Sequence, residues 1–399
     1  AGGQGGAIRH NKDTVDASTE LTHCSFDSCT AGSNGGAVST AAFETKVISS
    51  EFKACTAGAY GGGLYSAKGD KNEDLMPSTT IEGCAFTECQ STGTSNSGGG
   101  AVYSSNYILT IKDHEADGVA THTTFTDCAS KMQGGAVYHN KDASGSATKL
   151  TNCIFDGCYT DGTNSSHGGA LYTTAMEMRL TGCQVQNCHA GQWGGGVNHS
   201  NSSAELTHVE NCQFINCYAN AREGGGLRSN ARSATVTGVT FTNCHSDGTA
   251  GTGGGGGFSY GEDNDNGEAT VSNCTFTGCY CHETKNGGAI LFRTKALSVL
   301  GTTIDGTISA SGVNYNANNG GGIYSSRGEV TIGDLEVDGT AKRSVIKNCN
   351  FNAFIKHIIS VSHRVYNCLT QCLRWKLVNI FSDYTFYFHS CMKISENKL

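Results

Sequence analysis

Proline is almost absent from this chain of 399 residues: Pro77 stands alone, beside only two tryptophans. Charged residues make up 16% of the sequence, and no apolar run approaches the ~18 residues that a membrane-crossing helix needs. No stretch repeats its apolar residues at helical spacing either, which excludes a helical bundle. A chain of this length ordinarily holds two or three globular domains. Fifty-five glycines against a single proline argue against that organisation. Glycine is missing from the last 60 residues, where basic charge gathers: nine Lys/Arg and two Asp/Glu from Lys342 onward, against 18 and 33 before it. The acidic upstream part excludes nucleic acid as a partner, because phosphate binding needs a basic face. No secretory leader is visible, and the opening AGGQGGAI already lies inside a repeat. The sequence therefore reads as a piece that has lost its true start, with no membrane anchor in it.

What is abundant is internal repetition. A glycine block of the form G-G-[A/G]-hydrophobic recurs eleven times, ending at Ile8, Val38, Leu64, Val102, Val137, Leu171, Val197, Leu227, Phe258, Ile290 and Ile323. A second block, C-x-F-x-x-C, alternates with it, as in CSFDSC from Cys24, CAFTEC from Cys84, CIFDGC from Cys153 and CTFTGC from Cys274. Eroded versions keep the rhythm, down to TTIDGT from Thr302 and LEVDGT from Leu335. The shortest coil is 26 residues, and longer ones gain polar insertions at two fixed places. Solenoid loops behave in this way. In C-x-F the Cys and Phe share a face by period-2 alternation, and runs such as ATVTGVTF are β-branched, so the short segments read as strands. The glycine pair supplies the bend between them. The fold class expected is all-β: a right-handed parallel β-helix of about eleven coils over residues 1–340, with a non-repeat tail, capping or poorly ordered, over 341–399. Stacking at the strand spacing makes it a rod on the order of 50 Å long.

Alternating GGA[I/V/L] and F-x-x-N blocks are the signature of polymorphic outer-membrane-protein repeats, and the pattern over roughly residues 1–340 resembles that family. It departs where the Asn of F-x-x-N is Cys in nine coils and Thr307 or Thr340 in the last two. The resemblance implies the pectin-lyase-like superfold and adhesion to host or neighbouring cells, with a cell-surface protein or glycan as partner and an extracellular or cell-surface location. The membrane β-barrel of that family is not found, since nothing after residue 340 shows repeated alternating strands.

Three groups of residues are candidates for a site. Cys29, Cys55, Cys89, Cys128, Cys158, Cys188, Cys217, Cys244 and Cys279 occupy the last position of the second block in nine successive coils. The first position is Ser50, Thr123 or Val239 in three of those coils, so the two cysteines are not obligate partners. Stacked equivalents would keep their Cβ atoms near 4.8 Å apart, beyond the usual disulfide range of about 3.5–4.5 Å. An internal ladder of buried, mostly reduced thiols is the preferred reading, and intra-coil disulfides are the other. Tyr65, Tyr103, Tyr138 and Tyr172 follow the glycine-block hydrophobic in four consecutive coils. Alternation points them outward, as a stripe for sugar rings or a partner protein or as ordinary cross-coil packing. His10, His139 and His199, two residues past the same hydrophobic, are too far apart to share a metal and read as hydrogen-bonded turn residues.

No metal or cofactor is expected. The acidic loop Glu262–Glu268 lacks the bidentate Glu of a calcium loop at its twelfth position, where Asn273 stands. The alternative to a binding protein is a polysaccharide lyase or glycoside hydrolase, which needs converging carboxylates. Asp113, His114, Glu115 and Asp117 form the only dense acidic and His cluster. Asp156, Asp161, Asp247 and Asp305 precede glycines and read as turn formers. N-glycosylation sequons stand at Asn164, Asn198, Asn201 and Asn273.

Overall fold

The structure is a computed structural model that describes residues 2–67, 75–95, 97–162, 165–248, 253–261, 266–282, 286–306, 320–337, 340–349 and 360–361. The chain is a parallel β-solenoid, and no helix occurs among the described residues. Each full coil adds one strand to each of four sheets, of 11, 12, 11 and 9 strands. The first sheet holds the residues after each glycine block, from Ile8–His10 to Ile323–Ser325. The second has mostly five-residue strands such as Glu44–Ile48; the third carries the C-x-F segment, as in Glu51–Lys53. The fourth consists of two-residue strands just past the second cysteine, as in Thr56–Ala57. Register is kept from coil to coil: Val38 pairs with Leu64, Val47 with Ile81, Phe52 with Phe86 and Ala57 with Ser91.

The glycine block follows from three different demands at one corner. Gly61 has φ +65, a left-handed conformation that favours glycine. A Cβ on Gly62 would lie 2.1 Å from the carbonyl oxygen of Gly100 in the next coil, so no side chain fits. A Cβ on Gly63 would sit 3.1 Å from the Ala101 oxygen, and alanine takes the equivalent place at Ala37, Ala101 and Ala136. Two further columns of left-handed residues precede the cysteines. Asn187, Asn216 and Asn243 (φ 54, 53 and 52) stand before Cys188, Cys217 and Cys244, and Asn152 and Asn211 (φ 53 and 52) before Cys153 and Cys212. Asparagine tolerates this conformation because its amide can bond locally. Here Asn216 Nδ2 donates to Asn187 Oδ1 of the coil below at 3.2 Å.

The interior is a set of side-chain columns. Phe52, Phe86, Phe125 and Phe155 stack in parallel, with centroids 4.6, 5.0 and 4.7 Å apart. Val185 interrupts the column before Phe214, Phe241 and Phe276 resume it. Each buried ring contributes about 1.5–3 kcal/mol by leaving water, and each stack a further ~1 kcal/mol. The corner between the first and second sheets is polar instead. His139 Nε2 donates to the Asn106 carbonyl at 2.7 Å, which leaves Nδ1 to accept from Thr148 Oγ1 at 2.7 Å. Thr148 in turn bonds Thr173 at 2.7 Å. His199 repeats this arrangement with Ala175, Thr207 and Ser229. Both imidazoles are fully buried. They are therefore core residues on strands, and the expectation of turn histidines is corrected. His10, half-buried in the first coil, makes the same bond to Thr19 at 2.7 Å.

The last coil also differs from its expected form. LEVDGT is not a coil segment: Leu335–Val337 pairs antiparallel with Thr340–Lys342. The third-sheet strand of that coil is Val345–Lys347, which pairs with Thr303–Asp305. Ser344, Ile346 and Cys349 thus fill the places of Cys, Phe and Cys. The twin of this hairpin is His114–Ala116 with Val119–Thr121, inserted at the same corner of the fourth coil. Asp117 and Gly118 join the strands of this hairpin, the sequence that a two-residue hairpin turn favours. The solenoid pairing consequently continues past residue 340. Residues 350–359 and 362–399, most of the tail set apart by its composition, lie outside the described residues.

Candidate functional site

Two columns of aromatic rings run along the outside of the rod. The first is the tyrosine column on the first sheet, where Tyr65, Tyr103, Tyr138 and Tyr172 pair in register. Their neighbours largely cover them. Tyr103 and Tyr138 are only 6% and 8% exposed, and Tyr65 and Tyr172 are half-buried. The cover comes from the residue just before each glycine block: the Tyr60 ring lies 4.4 Å from Tyr103, and the His167 ring 5.8 Å from Tyr172. His167 packs on Trp193 at 4.5 Å, and Arg222 and Arg228 lie over the Trp193 ring at 4.7 and 5.2 Å. Burial pushes the Tyr103 phenol up to about 12 and the Tyr138 phenol further in the same direction. Burial also holds His167 down to about 3, with Arg228 adding to the effect. The cover ends on a buried charge group in which Glu223 accepts from Arg293 and pairs with Arg228.

The second column escaped the sequence reading. The first residue of each fourth-sheet strand points outward, and in five successive coils it is Tyr159, His189, Tyr218, His245 and Tyr280. Their centroids are 5.1, 4.7, 5.0 and 4.6 Å apart and their planes within 8° of parallel. All five are half-buried, flanked by the stack and open to solvent at their edges. His245 pairs with Asp247 at 3.3 Å, and burial lowers His189. The signal was present in the sequence, because each ring directly follows the second cysteine in C-Y, C-H, C-Y, C-H, C-Y.

The cysteine column lies inside. Cys55, Cys89, Cys128, Cys158, Cys188, Cys217, Cys244 and Cys279 are buried thiols, and Cys29 at the first coil is half-buried. None of these nine is in a disulfide. In eight of the nine the Sγ donates to the carbonyl two residues before it, as Cys217 does to Ile215 at 3.6 Å, and Cys89 donates instead to Phe52 of the coil below at 3.4 Å. Burial pushes the thiols of Cys128, Cys188 and Cys244 well up, which leaves them protonated and unreactive.

The remaining candidates disperse. Asp113 accepts from Asn152 at 2.9 Å, His114 faces Glu82 at 3.5 Å, and Glu115 and Asp117 are exposed on the hairpin. Asp156 and Asp305 end third-sheet strands, whereas Asp161 and Asp247 follow fourth-sheet strands, so the four belong to two different columns. Asn198 is fully buried and Asn201 nearly so, its amide donating to Thr174 at 2.7 Å; neither has room for a glycan in the folded rod. Asn273 is exposed, and Asn164 lies outside the described residues, as does most of the acidic loop 262–268. No group of three or more His, Cys, Asp or Glu suited to a metal occurs among the described residues. No helix among them is long and apolar enough to cross a membrane.

The chain matches no family model, no curated protein and no solved structure. The class of protein that fold and surface define is a parallel β-solenoid with an ordered outer column of rings.

Proposed function

We propose that this chain is the rod of a secreted or surface-displayed, adhesin-like protein that engages cells or glycans through the open ring column of the fourth sheet. The observation that carries the reading is the five-ring stack from Tyr159 to Tyr280, held open at its edges on a rigid repeat scaffold. Outward rings in register form a continuous amphipathic strip, and exposed aromatic strips of this kind characterise interaction surfaces. The resemblance of the repeat to polymorphic outer-membrane-protein repeats supports an adhesive role and a cell-surface location. The test is binding of the labelled full chain to intact cells and to a glycan array. A variant with Tyr159, Tyr218 and Tyr280 changed to Ser should lose at least ten-fold in affinity, the equivalent of about 1.4 kcal/mol. Saturable binding unchanged in that variant would remove the column from the reading; absence of any binding by the parent chain would remove the reading itself.

A further inference from the structure

The ring column has one gap at its lower end. Tyr159 pairs in register with Ala129, and Ala129 with Gln90. The coil beneath the stack therefore presents a methyl group where the five coils above present rings. Gln90 and Tyr159 are two coils apart, about 9.6 Å at the strand spacing, and the place between them is one ring thick. The cleft that results is small and open to solvent, lined by Gln90, Ser91, Thr92, Ala129, Ser130, Lys131, Tyr159 and Asp161. Ala129, 8% exposed, is its floor. Tyr159 is its roof, the one ring of the column whose lower face has no ring against it. Lys131 and Asp161 close one rim, with Nζ donating to Oδ2 at 2.7 Å and the two side chains 44% and 41% exposed.

We infer that this slot takes a single pyranose unit of a glycan, stacked on the lower face of Tyr159 as the sixth ring of the column. The inference rests on the glycan-binding reading above and names the place and the chemistry. A pyranose has a flat face of C–H bonds and a rim of hydroxyls, and the slot offers the complement of each. The Tyr159 face receives the C–H side. Lys131 keeps two N–H donors, and Asp161 keeps lone pairs on both oxygens, so a vicinal diol can donate to one and accept from the other. Thr92, one coil below Lys131 in the same column, adds a hydroxyl to that rim, and Gln90 supplies an amide from below. An aromatic side chain from a protein partner would match the roof alone and leave these rim groups without new partners.

The test uses the full chain labelled with 13C-tyrosine, titrated with methyl glycosides of glucose, galactose and N-acetylglucosamine. Tyr159 ring signals should shift saturably with at least one of them, with millimolar affinity, while Tyr280 signals stay in place. Ala129→Tyr fills the slot with the ring that the column lacks, and it should abolish the titration with the fold kept, since its neighbours are already rings. Lys131→Met, which leaves the floor and roof untouched, should weaken it several-fold. A Tyr159 that shifts with p-cresol but with no glycoside overturns the inference in favour of an aromatic side chain from a protein partner. A Tyr159 that shifts with nothing, or equally in Ala129→Tyr, overturns it outright. Cell or array binding that survives in Ala129→Tyr with Tyr159 silent sinks the slot and leaves the wider reading intact. Glycoside shifts without any cell or array binding do the reverse.

Discussion

The two outer ring columns are built by the same rule and end in opposite states. Each takes its rings from one outward position per coil, spaced by the strand repeat. On the first sheet Tyr60 packs on Tyr103 and Tyr138, which are only 6% and 8% exposed, and His167 packs on Tyr172. On the fourth sheet the residues after the ring-bearing strands are Asp161, Gly191, Asn220, Asp247 and His282, and the five rings stay half-buried. Periodicity alone makes a column; the flanking position decides whether the column is a wall or a surface.

The largest expected effect comes from carrying the comparison inward, to rings that no solvent reaches. Burial holds His139 and His199 at about 4, against 6.5 for an ordinary imidazole. The unfolded chain takes up these protons first, so stability is whole above about pH 6.5 and falls as the pH drops toward about 4. The loss approaches ~3 kcal/mol for each histidine, as an upper bound. Denaturant unfolding across this range should show the decline, and His139→Gln with His199→Gln should reduce it, leaving the part contributed by His167, which burial also holds down. An equal decline in the double variant would mean that other groups carry it. Next in size is the contrast between the columns themselves. Tyr138→Ser empties a packed site and should cost about 3 kcal/mol, whereas Tyr218→Ser on the open column should cost about 1 kcal/mol. Equal costs by urea unfolding would erase the distinction between wall and surface. The smallest effect is kinetic. Tetranitromethane modifies the phenolate, so Tyr159 and Tyr280 should be nitrated well before Tyr103 and Tyr138, whose burial raises the phenol and blocks access. Peptide mapping in which Tyr138 reacts first would contradict the buried column.

Much of the fold was legible because solenoid coils repeat their constraints. The glycine pairs mark a corner at which one residue must be left-handed and the next can carry no side chain. The Phe of C-x-F marks the inward position of a strand, and the last cysteine marks a closed internal column. LEVDGT misled because a hairpin strand resembles an eroded coil block when spacing is the only guide. SVIKNC, nine residues on, carries the real strand with Ile346 and Cys349 inside. The histidines misled for a related reason. Their period is that of a strand residue, but only the hydroxyl of Thr148 or Thr207 opposite makes an inward imidazole tolerable.

The candidate surface was half legible. The tyrosine column of the first sheet was read from its spacing, as a stripe or as cross-coil packing, and Tyr103 and Tyr138 are buried in it. The ring column of the fourth sheet was passed over, since two-residue strands behind the cysteines leave no alternation to detect. What the amino-acid order settled unaided is everything local and periodic: the coil length, the corners, the inward Phe and Cys columns. Tertiary structure alone decided which outward columns stay open, because cover comes from residues in other coils and on neighbouring sheets, whose approach no spacing along the chain records. The vacancy at Ala129 is of the same kind. A single alanine is unremarkable in sequence, and becomes a slot only when a ring stands in the next coil above it.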